Sequence, residues 1–214
     1  MKAQTKERRR PKSALADRRP KLVLFTHLMG DRRRDILLAA AELFARKGFT
    51  ATSMRDIAEV VGLTGGSLYH HTKSKEELFL EVHGEALRVA GRHLREAAAT
   101  ETDPWLKLRA ICRAHLDIQL DPESLTVPLM GDLAFVSPDL HRMLVAQRDA
   151  FEEYFRDLVT SLPMKPSVDR NIFRLSVLTL LNNAVTWYRK GRLAPVEVAD
   201  QIFEIFYQSA ESSS

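Results

Sequence analysis

Residues 36–78 read ILLAAAELFARKGFTATSMRDIAEVVGLTGGSLYHHTKSKEEL, and their spacing is that of three helices in close succession, opening into a fourth. Order begins near Asp31. Ile36, Leu37, Ala40, Leu43 and Phe44 follow the i, i+1, i+4, i+7, i+8 rule of an amphipathic helix, and Gly48 supplies its stop. Ser53 is placed to cap a second helix, with Asp56 three residues on as its capping-box partner. Ile57, Ala58 and Val61 form that helix's inner face, Gly62 breaks it, and Leu63 anchors the turn. A short third helix is predicted over about Thr64 to His71. Ser74 and Glu77 form another capping box, opening a long helix through about Ala99.

Two short helices joined by a Gly-containing turn, behind a supporting helix, make a helix-turn-helix. In such a motif the second helix lies in the DNA major groove while the first crosses the backbone. The third helix here offers Thr64, Ser67, Tyr69 and His70 to a groove. Ser53, Tyr69, His71, Lys73 and Lys75 stand where phosphates would lie. Tyr69 has a plainer reading as a half-buried core tyrosine. His70 and His71 are adjacent and point to different helix faces, so they do not read as a metal pair.

Charge supports a polyanion at this end. Residues 1–34 hold twelve Lys/Arg against three Asp/Glu, a net of +9, and the rest of the chain sums to −5 within an overall +4. Arg32, Arg33 and Arg34 sit beside the reading helix and are candidate minor-groove contacts. Residues 1–30 lack sustained periodicity and are expected to be a disordered basic arm, with Met29 an alternative start. The apolar run 22–29 is short, His27 interrupts it, and no cleavage site follows, so it does not read as a secretion signal.

The stretch resembles the TetR family of regulators. Ala40, Leu43, Phe44, Gly48, Thr52, Ser53, Ile57 and Ala58 carry the likeness, followed by Gly62, Leu68, Tyr69, His71, Ser74, Lys75, Glu77 and Leu78. The resemblance implies that Ser53 and Arg55 open the second helix against DNA, and that Thr64, Gly65 and Ser67 face the groove. It also implies that Tyr69, His71 and Lys75 reach phosphates. Two departures stand out. Thr72 replaces an aromatic or aliphatic residue, which would loosen packing under the third helix. Gly65 replaces a larger side chain, which shifts sequence preference towards Arg55, Thr64 and Ser67.

Beyond residue 73 the pattern stays helical, over about 104–119, more weakly 122–135, then 138–162, 167–190 and 195–209, with no strand alternation and no repeat. The fold class is therefore all-α with about nine helices: an arm at 1–30, a DNA-binding head at 31–73, and an effector-binding and dimerisation body at 74–214. From Ile172 to Trp187 apolar residues lie nearly all round the helix, which implies burial on every side. The last helix carries Phe203 and Tyr207 off its main stripe. Both surpluses point to a homodimer through the last two long helices, as the TetR resemblance also implies, and hence to a near-palindromic operator on double-stranded DNA.

An effector pocket needs apolar walls and a few polar groups. Met130, Phe135 and Phe151 are candidates for the walls, and His115, Asn183 and Trp187 for orientation; each also has a plain core reading. Residues 137–159 and 182–206 are similar to TetR regulators of fatty-acid, aromatic-acid and steroid breakdown, carried by Trp187, Tyr188, Arg189, Gly191, Leu193, Pro195 and Val198. That likeness implies an acyl-CoA effector, with the CoA phosphates met by some of Arg109, Arg113, Arg142, Arg174 and Arg189. The alternative effector is a drug-like apolar or cationic compound. Cys112, the one cysteine, allows no intrachain disulfide and reads as a buried thiol, with a redox sensor as the rival.

Other classes fit poorly. No aspartate-rich metal motif, Gly-rich phosphate loop or nucleophile elbow supports an enzyme, and no cofactor is implied. A purely architectural DNA-binding protein would not need so large an apolar body. No apolar run reaches the roughly 18–20 residues of a membrane span. The expectation is a cytoplasmic, ligand-responsive repressor with no membrane partner.

Overall fold

The computed structural model describes residues 32–122, 124–131, 136–191 and 193–211, leaving out the side chains of 128, 130 and 131. The expected arm 1–30, the apolar run 22–29 and Phe135 lie outside these residues. The described elements are α1 (Arg32–Ala51), α2 (Met54–Val60), α3 (Gly65–Tyr69), α4 (Lys75–Ala99), α5 (Pro104–Gln119), α6 (Thr126–Gly131), α7 (Pro138–Ser161), α8 (Arg170–Asn182), α9 (Ala184–Trp187) and α10 (Pro195–Ala210). An isolated bridge between Met164 and Glu211 is the one extended pairing among the described residues. The fold is all-α, and among the described residues there are nine helices if the four-residue α9 is counted as the broken end of α8.

Local chemistry accounts for the boundaries. Gly48 takes φ +79° and turns the chain so that Phe49 folds back on Phe44 and Phe79, with ring centroids 6.0 and 4.9 Å away. Ser53 Oγ accepts from the Asp56 amide at 3.1 Å, while the Asp56 carboxylate accepts from the Ser53 amide at 2.9 Å. That is the reciprocal box expected from the sequence. Gly62, at φ +66°, ends the α2 turn in a conformation other residues adopt only with strain. Thr64 caps α3 through the Ser67 amide.

Three expectations need correction. Ser74 does accept from the Glu77 amide, but the Glu77 carboxylate reaches further back, to the Lys73 amide and the Thr72 hydroxyl. The helix expected at 167–190 is broken. The Asn183 amide group donates to the Thr179 carbonyl at 2.8 Å and the Thr186 hydroxyl to the Asn183 carbonyl at 2.7 Å, so side chains compete for the carbonyls that would continue the helix. Among the described residues of the weak 122–135 pattern, helix starts only at Thr126, with α6.

Two apolar clusters form the interior. One joins Ile36, Leu37 and Phe44 of α1 with Ile57, Leu68, Leu78 and Phe79, and also takes in Leu129 of α6 and Leu140 and Leu144 of α7. The other is built from the second half of α4 with α5, α7, α8 and α10. Helix α4 therefore threads both, through Leu78, Phe79 and Val82 at one end and Ala90, Leu94 and Ala98 at the other.

Candidate nucleic-acid interface and effector site

The reading helix is only five residues long. An isolated helix of that length does not persist in water, so its neighbours must hold it. Leu68 anchors it, fully buried. The Thr64 and Ser67 hydroxyls lie 2.9 Å apart, and Thr64 also takes the Ser67 amide, so these two residues, expected at a groove, form the helix cap. Tyr69 is 56% exposed, which rules out its reading as a core tyrosine. Arg55, Gly65 and His70 are exposed and His71 is half-buried.

Beneath α3, Thr72 is buried and its hydroxyl donates to the Glu77 carboxylate at 3.0 Å and the Ser74 carbonyl at 3.2 Å. The Lys73 amide and the Thr72 hydroxyl hold the Glu77 carboxyl below the usual carboxylate range. The departure at Thr72 thus exchanges apolar packing for a hydrogen-bonded support.

Several expected DNA donors have partners inside the head. Arg32 donates to the Val61 carbonyl, where α2 ends, and pairs with Asp35. Arg33 binds Glu81 on α4 and the His71 carbonyl. Arg34 is half-buried, with a buried Nε. Lys75 Nζ donates to the Phe49 carbonyl at 2.9 Å and lies 4.2 Å from the centre of its ring. Partners 26 to 48 residues away carry no local signal, so sequence spacing alone did not reveal them.

In the body, the four expected effector residues that the structure describes fall in two places. His115 is buried on α5, with Nε2 2.8 Å from Asn182 Oδ1 and the Phe155 ring edge-on at 6.2 Å. Burial pushes its pKa down to about 4, against a smaller upward pull from Asn182, so the imidazole is neutral. Phe151 is half-buried against the same cluster, close to Gly91 of α4. Asn183 and Trp187 instead lie on the outer face of α8 and α9, in an open apolar groove of about 490 Å³ shared with Ile172, Leu175 and Phe206. The side chains of Met130 and Phe135 lie outside the described part of the structure.

The arginines expected at a pocket mouth are largely paired. Arg109 and Arg113 both bind Asp200 of α10, at 2.9 and 2.6 Å, and the Arg113 hydrogen bond holds the Asp200 carboxyl down at about 2. Arg174 binds Glu152 at 2.8 Å. Arg142 pairs with Asp139 on the surface, and Arg189 donates to the carbonyls of Thr186 and Tyr188. Cys112 is buried, and burial with the Asp200 charge pushes its thiol up to about 12, so it holds no thiolate for redox sensing. Among the described residues no group of three His, Cys, Asp or Glu could hold a metal, and no helix is long and apolar enough to cross a membrane.

A capped reading helix on a three-helix frame, joined by one continuous helix to a large helical body, defines a helix-turn-helix DNA-binding regulator. Residues 36–82 match the family described as bacterial regulatory proteins, tetR family, and residues 101–210 match the tetracyclin repressor-like C-terminal domain. The chain belongs to the TetR family, whose members are regulators rather than enzymes. It is 30% identical over 181 residues to the transcriptional repressor KstR2 of Rhodococcus jostii, covering 81% of this chain and 88% of that one. The solved ketosteroid transcriptional regulator KstR2 of Mycobacterium tuberculosis is 25% identical, with TM-score 0.65 over 86% of this chain and 98% of that one. AibR, solved with isovaleryl coenzyme A and operator DNA, is 21% identical with TM-score 0.70 over 82% and 97%. The superantigen PfiT has the same fold, 25% identical with TM-score 0.74 over 86% and 98%, so the fold alone does not name an activity.

Proposed function

We propose that the protein is a homodimeric transcriptional repressor whose head, 31–73, reads a near-palindromic operator and whose body, 74–214, binds an effector that releases it. The observation that carries this is the pair of capped helices α2 and α3, on which Arg55, Thr64, Gly65, Tyr69 and His70 are exposed and Ser67 is half-buried. We assign Ser53 and His71 to the flanking phosphates. Two such heads, set by a two-fold axis, meet half-sites about 34 Å apart.

The dimer is assigned to α8 and α10. Ile172 and Ile205 are 64% and 63% exposed, and Ile172 lines one groove with Leu175, Trp187 and Phe206 of α10. The groove that Asn183 and Trp187 line is on this surface, so it receives the partner's side chains rather than the effector.

For the effector we assign a CoA thioester. AibR, solved with isovaleryl coenzyme A, supports it as far as the shared fold goes. A drug-like apolar or cationic compound is the second reading. It is favoured by the pairing of Arg109, Arg113 and Arg174 with carboxylates, which leaves fewer cations for CoA phosphates.

The test begins with duplexes selected from a random library by the protein. A near-palindromic winner is expected, bound as a dimer. CoA thioesters, free acids, free CoA and cationic drugs are then titrated against that complex and against the protein in a thermal-shift assay. One acyl class should raise the melting temperature and release the duplex, and the duplex should weaken its binding by the same factor. Failure to enrich any duplex overturns the repressor reading. Stabilisation by drugs alone overturns the thioester.

A further inference from the structure

We infer that Arg33 is a positioning residue for operator binding, holding the C-terminal end of the reading helix to Glu81 of α4, rather than a contact to DNA phosphate. The inference rests on the operator-binding reading above. Its geometry is independent of that reading. Nε and Nη2 of Arg33 both donate to the Glu81 carboxylate, and Nη1 donates to the His71 carbonyl. One guanidinium thus joins α1, α4 and the exit of α3. Its planar fork suits this task, because the donors diverge at fixed angles that a flexible ammonium cannot reproduce.

The reading helix needs such a tie. Its N-terminal end has the Thr64 cap and its middle has buried Leu68, but after Tyr69 the chain turns through exposed His70. The His71 carbonyl is where the tie is made. Glu81 is on the same continuous helix that enters the body core at Ala90 and Leu94. A rotation of α4 against α1 therefore acts directly on the angle of α3. Glu77 of α4 braces the same turn one and two residues further on, at Thr72 and Lys73, and Lys75 ties α4 to Phe49; what the Arg33 link adds is α1.

Opposite signs separate the two roles. If Arg33 contacts phosphate, Glu81→Gln removes a negative charge near DNA and should leave binding unchanged or tighter. Arg33→Gln should then flatten the salt dependence by about one ion, while Arg33→Lys should retain it. If Arg33 positions α3, all three variants weaken binding to the selected duplex by roughly three- to tenfold, since a bidentate pair lies above the weakest surface bridges. The salt slope stays that of the parent, and Arg33→Gln with Glu81→Gln is no worse than either alone.

Amide hydrogen exchange over 64–73 in the DNA-free dimer is read alongside. It should quicken in each variant while exchange in α5 and α10 stays as in the parent, a local change that general unfolding would not give. Parent-like exchange over 64–73, or tighter binding by Glu81→Gln, overturns the inference. If the parent protein selects no duplex, the operator reading fails by itself, and exchange alone decides whether Arg33 holds α3.

Discussion

Gly65 is where the free protein and its complex should want different things. Neither Gly65 nor Gly66 has a positive φ, and a Cβ built on either meets nothing within 4 Å. The fold does not require glycine at these positions, and glycine in a helix is worse than alanine by roughly 0.5–1 kcal/mol. Gly65→Ala should therefore leave the melting temperature unchanged or raise it, yet weaken operator binding by placing a methyl against the groove. Gly62→Ala is the contrast: φ +66° makes any side chain cost about 1–2 kcal/mol without touching DNA directly. Melting curves and fluorescence anisotropy on both variants check the pair, and parent-like DNA binding by Gly65→Ala would remove the close-approach argument. His115 gives a second test at this scale. Its folded pKa of about 4 lies below the unfolded value near 6.5, so the unfolded chain binds more protons between them. Its contribution is complete above about 6.5 and is lost as pH falls towards 4. His83, depressed by burial next to Gln147, acts in the same direction. A plot of melting temperature against pH should be shallower across that window in His115→Gln than in the parent.

At the scale of elements, what was legible in the sequence was whatever is decided within three or four residues. Ser53 with Asp56 and Gly62 set the two ends of α2, and Gly48 kinks α1, through local bonds and backbone angles, so reading them off the chain succeeds. The break of α8 was not legible, because a run of apolar residues predicts one helix while Asn183 and Thr186 take its carbonyls. The effector residues were least legible. The same apolar residues build core, pocket and subunit face, and only packing tells them apart, as with Asn183 and Trp187 on the outer face and His115 inside. Thr72 shows how a departure from a family pattern is absorbed. Its hydroxyl feeds the carboxylate that braces the α3–α4 turn. Thr72→Val should cost about 1 kcal/mol, the net worth of such a bond, while Thr72→Ser costs less. For a chain of this size that is about 2–4 °C in melting temperature. Equal losses in both variants would mean that shape, not the hydrogen bond, is what matters there.

For the whole molecule the decisive quantity is the apolar surface left outside α8 and α10. Phe173, Val177, Leu178 and Leu181 of α8 face inward and are buried, while Ile172 and Leu175 of the same helix are open. Ile205 of α10 is open in the same way, although Val198, Ile202 and Phe203 are buried. Exposed apolar residues standing singly mean little, but two adjacent helices showing them together mark an interaction surface. A two-fold interface is self-complementary, so each substitution enters it twice. Ile172→Glu with Ile205→Glu would bring four like charges into one buried patch. In a lone subunit both positions face water, so helix content by circular dichroism should remain that of the parent. Sedimentation should instead report a single chain. Each head would then bind its half-site alone, and losing the linked second contact costs about a hundredfold or more in operator affinity. If the doubly charged variant sediments as a dimer and holds the duplex at parental affinity, the subunit face lies elsewhere, and the groove around Trp187 returns as a candidate for the effector.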